Sequence, residues 1–421
     1  MHRVQAQANA QQARSEPDGW AGRPAEEFVV RALIGILTAC LIGMLAFGWR
    51  RAEERATTLS KQTAPFDWSG VSSRDLNIAA VFLTARDRGV AAAMDSLQSL
   101  SLADTSFRND GHMIAHALGR FAIAKSHGDP SVLSQCRPTF QAGCYHGVLE
   151  GYLASLSAVD AHVTTQLCNS LIKPDSSRFP ATECAHGLGH GFVEALSYKL
   201  GAALGACDVF ADDELKAECR DGVFMENMVH GLGGTGMNVG DAAMAAHMHT
   251  MSHAAPTMAA FRASDLRFPC DSVGSEYQPS CWAYQPLVVA KLTNYDLNKT
   301  LDECAEAPAA SRGSCYQGFG KQSLQWLSWN HSKVLSTCER AGDHASDCIA
   351  GGVEGLIDVA LNPIGAFAFC SAAPSARKSA CFRFAGTRML RMRATGAEAE
   401  RDCASAGTRE YIAACISGTR K

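Results

Sequence analysis

Two kinds of apolar pattern run along the chain. The first is a continuous stretch from Phe28 to Trp49, FVVRALIGILTACLIGMLAFGW, whose last 18 residues carry no charge before Arg50 and Arg51. A run of that length spans a hydrocarbon core as one helix. It begins too far from Met1, and lacks the small-residue cleavage site, for a signal peptide. It predicts a single-pass anchor at 28–49, with a cytoplasmic tail at 1–27 and a polar linker at 50–75. The second pattern has helical spacing. In CYHGVLEGYLASL the apolar positions are Tyr145, Val148, Tyr152 and Leu153; in CIAGGVEGLIDVAL the apolar or small ones are Ile349, Gly352, Leu356 and Ile357. Nothing alternates with the period of a strand, so the fold expected is all-α.

Cysteine supplies a ruler for these helices. Apart from Cys40 inside the anchor, sixteen cysteines form eight successive local pairs: Cys136/Cys144, Cys168/Cys184, Cys207/Cys219, Cys270/Cys281, Cys304/Cys315, Cys338/Cys348, Cys370/Cys381 and Cys403/Cys415. The even count, the regular offsets and the lack of any C-x-x-C argue for structural disulfides over zinc ribbons or redox motifs. Disulfides persist in oxidising compartments, which places the bulk of the chain on the extracytoplasmic, periplasmic side. Arginines flank both ends of the anchor (Arg3, Arg14 and Arg23; Arg50, Arg51 and Arg55) and do not decide orientation; the cysteines do. Closing a loop of about ten residues stabilises a fold by roughly 3 kcal/mol in the chain-entropy account. Within the anchor, Gly35, Ala39 and Gly43 form a small-residue row that could pair two copies as a homodimer.

Second cysteines at 144, 184, 219, 281, 315, 348, 381 and 415 are spaced by 40, 35, 62, 34, 33, 33 and 34 residues. A period near 34 is that of a helical-hairpin repeat, and the long step is one period plus an insertion near 231–262. An inner helix is expected to begin after each second cysteine, and a second helix to lead to the next first cysteine. In DPSVLSQC, for example, Asp129 would cap and Pro130 would open the helix. Residues 76–107 read as a cysteine-free leading hairpin, so 76–421 is one α-solenoid stapled by eight disulfides. The pattern resembles the cysteine-rich Sel-like repeat proteins, secreted relatives of the tetratricopeptide group with one disulfide per hairpin. The resemblance covers 76–421 as architecture; the family's Leu-Gly, Tyr and Gly-x-Gly positions are not reproduced. It implies a peptide or protein partner on the concave face, and hence a noncatalytic scaffold as the alternative to any catalytic role.

A register of histidines goes beyond what a solenoid needs. Two residues after the second cysteine stand His146 and His186; six residues after it stand Glu150 and His190. Aligning DGHMIAHALG with CAHGLGHGFV puts His112 and His116 on the same offsets of the leading unit. These offsets lie off the apolar stripe, and residues four apart face the same way, the spacing by which two histidines grip one metal. Glycines Gly147, Gly151, Gly187 and Gly191 line the predicted contact between successive inner helices. Close approach there would gather His112, His116, His146, Glu150, His186 and His190 onto a shared site with donors enough for one or two transition-metal ions, and Asp221, Glu226 or His230 as further or supporting ligands. The donor set suits zinc, iron or copper. Beyond these repeats the register reads as empty, with Ala283, Gln317, Ala350, Arg383 and Ser417 at the first offset.

The insertion offers a second, softer donor set. Met244, Met248 and Met251 share a helix face with His247, His249 and His253 nearby, a mixture of thioether and imidazole that suits copper. Composition removes other classes. With 47% hydrophobic and 19% charged residues, 38 basic against 42 acidic, the chain is neither disordered nor a polybasic nucleic-acid binder. No G-x-S-x-G, P-loop or haem-attachment motif is present. The sequence therefore predicts a membrane-anchored, extracytoplasmic repeat protein with a His/Glu metal site, acting as a metal-dependent enzyme or as the scaffold described above.

Overall fold

The structure is a computed structural model that describes residues 73–173, 177–232, 261–360, 363–393 and 395–420. The tail, anchor and linker at 1–75, except for residues 73–75, lie outside the described residues. So do Met244, His247, Met248, His249, Met251 and His253. Among the described residues no helix is long and apolar enough to cross a membrane.

Seventeen α-helices make up the described chain, and no strand forms among these residues. A leading pair, α1 (Ser73–Arg88) and α2 (Val90–Ala103), breaks at Gly89, whose φ of 90° suits glycine. The inner row then runs α3 (Thr105–Lys125), α4 (Gly143–Ser155), α6 (Phe179–Ala195), α8 (Asp213–Gly231), α9 (Gln278–Leu292), α11 (Arg312–Trp326), α13 (Ala345–Ala360), α15 (Ser375–Met392) and α17 (Arg409–Gly418). Short outer helices alternate with them: α5 (Ala161–Asn169), α7 (Leu200–Cys207), α10 (Leu297–Ala305), α12 (His331–Cys338), α14 (Pro363–Ala372) and α16 (Gly396–Cys403). The first outer element is a short 3₁₀ helix, Pro130–Gln135, opened as the sequence indicates by Asp129 accepting from the Ser131 N–H. Asp160, Asp296 and Asn330 cap α5, α10 and α12 in the same way.

All eight expected pairs stand at disulfide distance. Cα separations are 5.5 Å for Cys136–Cys144, 5.4 Å for Cys168–Cys184, 5.5 Å for Cys207–Cys219 and 5.4 Å for Cys270–Cys281. They are 5.5 Å for Cys304–Cys315, 5.4 Å for Cys338–Cys348, 5.5 Å for Cys370–Cys381 and 5.6 Å for Cys403–Cys415. All sixteen cysteines are buried, and with their sulfurs joined in pairs they hold the fold and are not ligands of a metal.

One detail of the cysteine ruler needs correction. The inner helices do not begin after the second cysteine but before it, so Cys144, Cys184, Cys219, Cys281, Cys315, Cys348, Cys381 and Cys415 all lie inside helices. Cys144 follows the α4 start at Gly143, and Cys281, Cys315 and Cys348 lie in the opening turns that begin at Gln278, Arg312 and Ala345. Cys184, Cys219, Cys381 and Cys415 lie a full turn or more within helices that begin at Phe179, Asp213, Ser375 and Arg409. The reason is that helix-start signals precede these cysteines: Pro180 stands in the first turn of α6, while Asp212 caps α8 and Thr408 caps α17. Each bridge other than Cys270–Cys281, whose first cysteine lies in the turns ahead of α9, therefore clamps the end of an outer element to the first or second turn of the next inner helix.

Each inner helix packs on the next, and at several of these interfaces, between α9 and α11 through Gly318 on the Ala283 backbone among them, the contact is backbone to backbone. Gly119 and Gly147 face each other between α3 and α4, Gly189 and Gly222 between α6 and α8, Gly320 and Gly351 between α11 and α13, and Gly386 and Gly418 between α15 and α17. A methyl at Gly147 would overlap the carbonyl oxygen of His116, and one at Gly222 that of His186.

The array also closes on itself. Helix α3 touches α13, the Gln141 N–H donates to the Asp358 carbonyl (3.1 Å), and Trp329 Nε1 donates to Asn109 Oδ1 (3.2 Å). Farther along, Ser177 Oγ donates to the Arg391 carbonyl (2.6 Å), and Arg391 pairs with Glu218. The concave face expected of the repeats is therefore a narrow cavity of about 250 Å³ walled by inner helices.

Gly147→Ala should cost about 1–3 kcal/mol, because the obstacle is backbone and the helices must part. Gly201→Ala in α7, where a methyl meets nothing within 4 Å, should leave stability unchanged or raise it by up to about 1 kcal/mol. Denaturant melting of the two variants checks this; equal stabilities would show that close approach does not hold the inner row together.

Candidate metal centre

The site grows from the glycine contact. With α3 and α4 in backbone contact, and α6 packed on α4, the imidazoles of three helices meet. The His112 and His116 ring centres are 4.5 Å apart, His116 and His146 5.1 Å, His146 and His186 4.8 Å, and His146 and His190 4.9 Å. All five are buried, His146 at 1% exposure.

Hydrogen bonds set which nitrogen each ring presents. His112 Nδ1 donates to the Phe140 carbonyl (2.7 Å), and His116 Nδ1 to Glu150 Oε2 (3.2 Å). His190 Nδ1 donates to Glu226 Oε2 (3.0 Å). A carbonyl or carboxylate only accepts, so each of these rings carries its proton on Nδ1 and turns a bare Nε2 inward. Holding one ring nitrogen on an oxygen so that the other is free for a metal is the usual arrangement around ligating histidines. The Phe140 carbonyl is aimed by an uncommon backbone: Phe140, Gln141 and Ala142 all have φ between 52° and 57°. Three successive non-glycine residues in the left-handed region cost about 1–2 kcal/mol each, and strain of this kind collects at functional sites.

The inward nitrogens then converge. His116 Nε2 lies 3.0 Å from His112 Nε2 and 3.3 Å from His146 Nδ1. Metal–nitrogen bonds of about 2.0–2.1 Å put neighbouring ligand nitrogens about 2.9 Å apart in octahedral and about 3.4 Å apart in tetrahedral geometry. The observed spacings fall in that range. Two groups of three histidines have donor atoms within 4.8 Å of one another: His112, His116 and His146, and His146, His186 and His190. Glu150, His190 and Glu226 form a third such group.

Glu150 is held on several sides. Arg120 Nε donates to its Oε2 (2.9 Å) and reaches Glu194 Oε2 with its other arm (2.8 Å), while His116 donates to it as well. Burial favours the protonated acid, but His116 and Arg120 overturn that and hold its carboxyl well below the usual carboxylate range. Glu150 thus orients His116, and Glu226 orients His190. Burial pushes the His112 and His146 imidazoles well below their ordinary value, helped by neighbouring histidines, and takes His186 down to about 4. These three rings are neutral at neutral pH, the form in which imidazole binds metal.

The other predicted residues sit apart. His230 stacks on Tyr198, ring centres 3.9 Å apart. Asp221 lines the cavity, where burial and Glu218 push its carboxyl up to about 7. Several cavity residues were not anticipated: Glu183, Glu218, Lys321, Glu354, Asp358, Arg388 and Arg391. Lys321 donates to Glu354 (2.9 Å), Gln317 donates to Glu354 (2.6 Å), and Arg388 pairs with Asp358. Lys321 and Glu354 stand six residues after Cys315 and Cys348, the offset of Glu150 and His190. Two of the repeats that read as empty at the first offset are thus charged at the second, while Leu287 and Thr387 stand there in two others. Lys321 and Glu354 line the same cavity as His112, His146 and His186.

The pH dependence of the metal-free fold follows from these groups. Unfolded imidazoles take protons near pH 6.5, whereas burial holds His112 and His146 well below that value and His186 at about 4. Their contribution is present above about pH 6.5 and is lost on acidification. Glu183, raised to about 8 by burial and Glu218, and Asp221 act oppositely. In the fold they keep protons that unfolded carboxyls have released by about pH 4.5, so stability declines as pH rises through that window. Stability of the metal-free chain should peak near pH 6.5, and Glu183→Gln should remove up to about 1.4 kcal/mol per pH unit of the decline toward pH 8. Thermal melting of both proteins between pH 5 and pH 9 checks this, and an unaltered decline in the variant would contradict it. The chain matches no family model, no curated protein and no solved structure.

Proposed function

We propose that the chain is a membrane-anchored, extracytoplasmic metalloenzyme whose first-row transition ion is held by His112, His116 and His146 at the wall of the central cavity. The observation that carries this is the facing pair of Nε2 atoms, 3.0 Å apart, on rings whose protons are engaged at Nδ1. Bare lone pairs at that distance repel unless a cation sits between them. A proton joins two nitrogens, and here His146 Nδ1 is the third. A divalent ion satisfies all three.

Three protein nitrogens leave a coordination position open, the arrangement of catalytic rather than structural sites. A bound zinc, iron or copper would supply Lewis-acid activation of water or of a substrate oxygen. The chain's own groups do the rest. Glu150 and the Phe140 carbonyl fix ring orientation, the charged wall of Lys321, Arg388 and Arg391 with their acids positions a polar substrate, and Glu183 carries a proton at neutral pH, its Oε2 3.7 Å from His146 Nε2. The eight disulfides support an oxidising compartment, and the 28–49 stretch would tether the array to the membrane facing it.

The full chain, produced in an oxidising compartment, should contain close to one or more equivalents of zinc, iron or copper by elemental mass spectrometry. A His112→Ala/His116→Ala double variant should lose most of that metal while keeping its disulfides and cooperative melting. A folded parent that stays metal-free after reconstitution with each of the three ions would overturn the proposal.

A further inference from the structure

His146 differs from its neighbours. His112, His116 and His190 each tie Nδ1 to an oxygen acceptor, which leaves one nitrogen for a metal. His146 has no oxygen within hydrogen-bonding distance of either ring nitrogen: Nδ1 points to His116 Nε2, and Nε2 is buried without a hydrogen-bond partner. His190 Nε2 is likewise buried and unpartnered. A polar atom left buried and unpaired forfeits its hydration with nothing in return, and here two such nitrogens belong to the same triad, His146, His186 and His190. The His146 ring lies between the edge formed by His112 and His116 and the nearly parallel rings of His186 and His190, at interplanar angles of 23° and 24°.

From this geometry we infer a second transition-metal position, formed by His186 and His190 and sharing His146 with the first, so that one imidazole ring stands between two divalent ions. The inference rests on the metal reading above and deepens it. The first position uses Nδ1 of His146 and the second its Nε2; when both are taken, the ring's N–H proton leaves to solvent, as protons do when metals displace them. Glu226 serves the second position as Glu150 serves the first, by holding the far nitrogen of a ligating histidine. Both positions border the cavity through His112, His146 and His186, so a substrate seated there would meet two ions, each able to act as a Lewis acid on its own ligand.

Titrating the metal-stripped full chain with cobalt(II), followed by metal content after desalting and by visible absorption, reads the number of positions directly. Two equivalents should be retained by the parent and one each by His112→Ala and His190→Ala, while His146→Ala should weaken both. Glu226→Gln, which leaves every ligand in place, should loosen the second equivalent about 10- to 100-fold without affecting the first; it serves where an alanine variant melts abnormally. Retention of one equivalent by the parent, abolished by His112→Ala, would keep the proposed function and overturn the second position. Two equivalents that both survive His190→Ala would also overturn it, since the second ion then sits elsewhere. No retained cobalt in a folded parent would overturn both readings.

Discussion

Inner helices that touch backbone to backbone leave no room between them for side chains. Whatever stands beside the contact is pressed together. Glycine at 119, 147, 189 and 222 permits that approach, and the residues beside it on α3, α4 and α6 are histidines. The histidine cluster is thus a consequence of helix spacing. An alanine at Gly147 would move His116 directly, because the atom it overlaps is that residue's own carbonyl oxygen.

Such a site is expensive to assemble, and the rest of the fold shows how it is held. Five neighbouring imidazoles lose water, and three residues before α4 sit in left-handed backbone. Against these costs stand eight disulfides that clamp the opening turns of the inner helices, capped outer helices, and a continuous apolar core running from α1 to α17. Charge is handled by pairing. Arg120 spans Glu150 and Glu194, Lys321 spans Glu354 and Asp358, and Arg391 reaches Glu218. Removing one partner from a buried pair is generally costly, and the Arg391–Glu218 link also fastens an early inner helix, α8, to a late one, α15.

Much of this was legible in the cysteines, and some of it was not. Regular spacing of the second cysteines located the inner helices and all eight bridges, because a local disulfide leaves its mark at short separation. Helix starts were less legible: Cys184, Cys219, Cys381 and Cys415 sit well inside their helices, because the capping residues and not the sulfurs decide where a helix opens. The histidine offsets placed five rings on one face because residues four apart share a face whatever the tertiary context. The closure of the array was not legible. It depends on small rotations accumulated over many repeats, and no single residue records them. Lys321 and Glu354 carried a usable signal at the sixth position after the cysteine, but attention to the second position alone passed over it. Glu150 read as a ligand because carboxylate and imidazole at matching offsets look equivalent in sequence; the structure keeps it in a potential metal-holding group with His190 and Glu226 and adds that it accepts from Arg120 and His116. His230 lies on the expected helix, yet stacks on Tyr198 because it stands beyond the turn that faces the site.

The account turns on imidazole nitrogens surrounding an ion, and X-ray absorption at the metal edge tests that most directly. For the metal-loaded full chain it predicts a first shell of three or more nitrogen or oxygen atoms at about 2.0–2.1 Å, with the outer-shell features of imidazole rings. A first shell dominated by sulfur at about 2.3 Å, or one without imidazole features, would place the metal elsewhere and contradict the account.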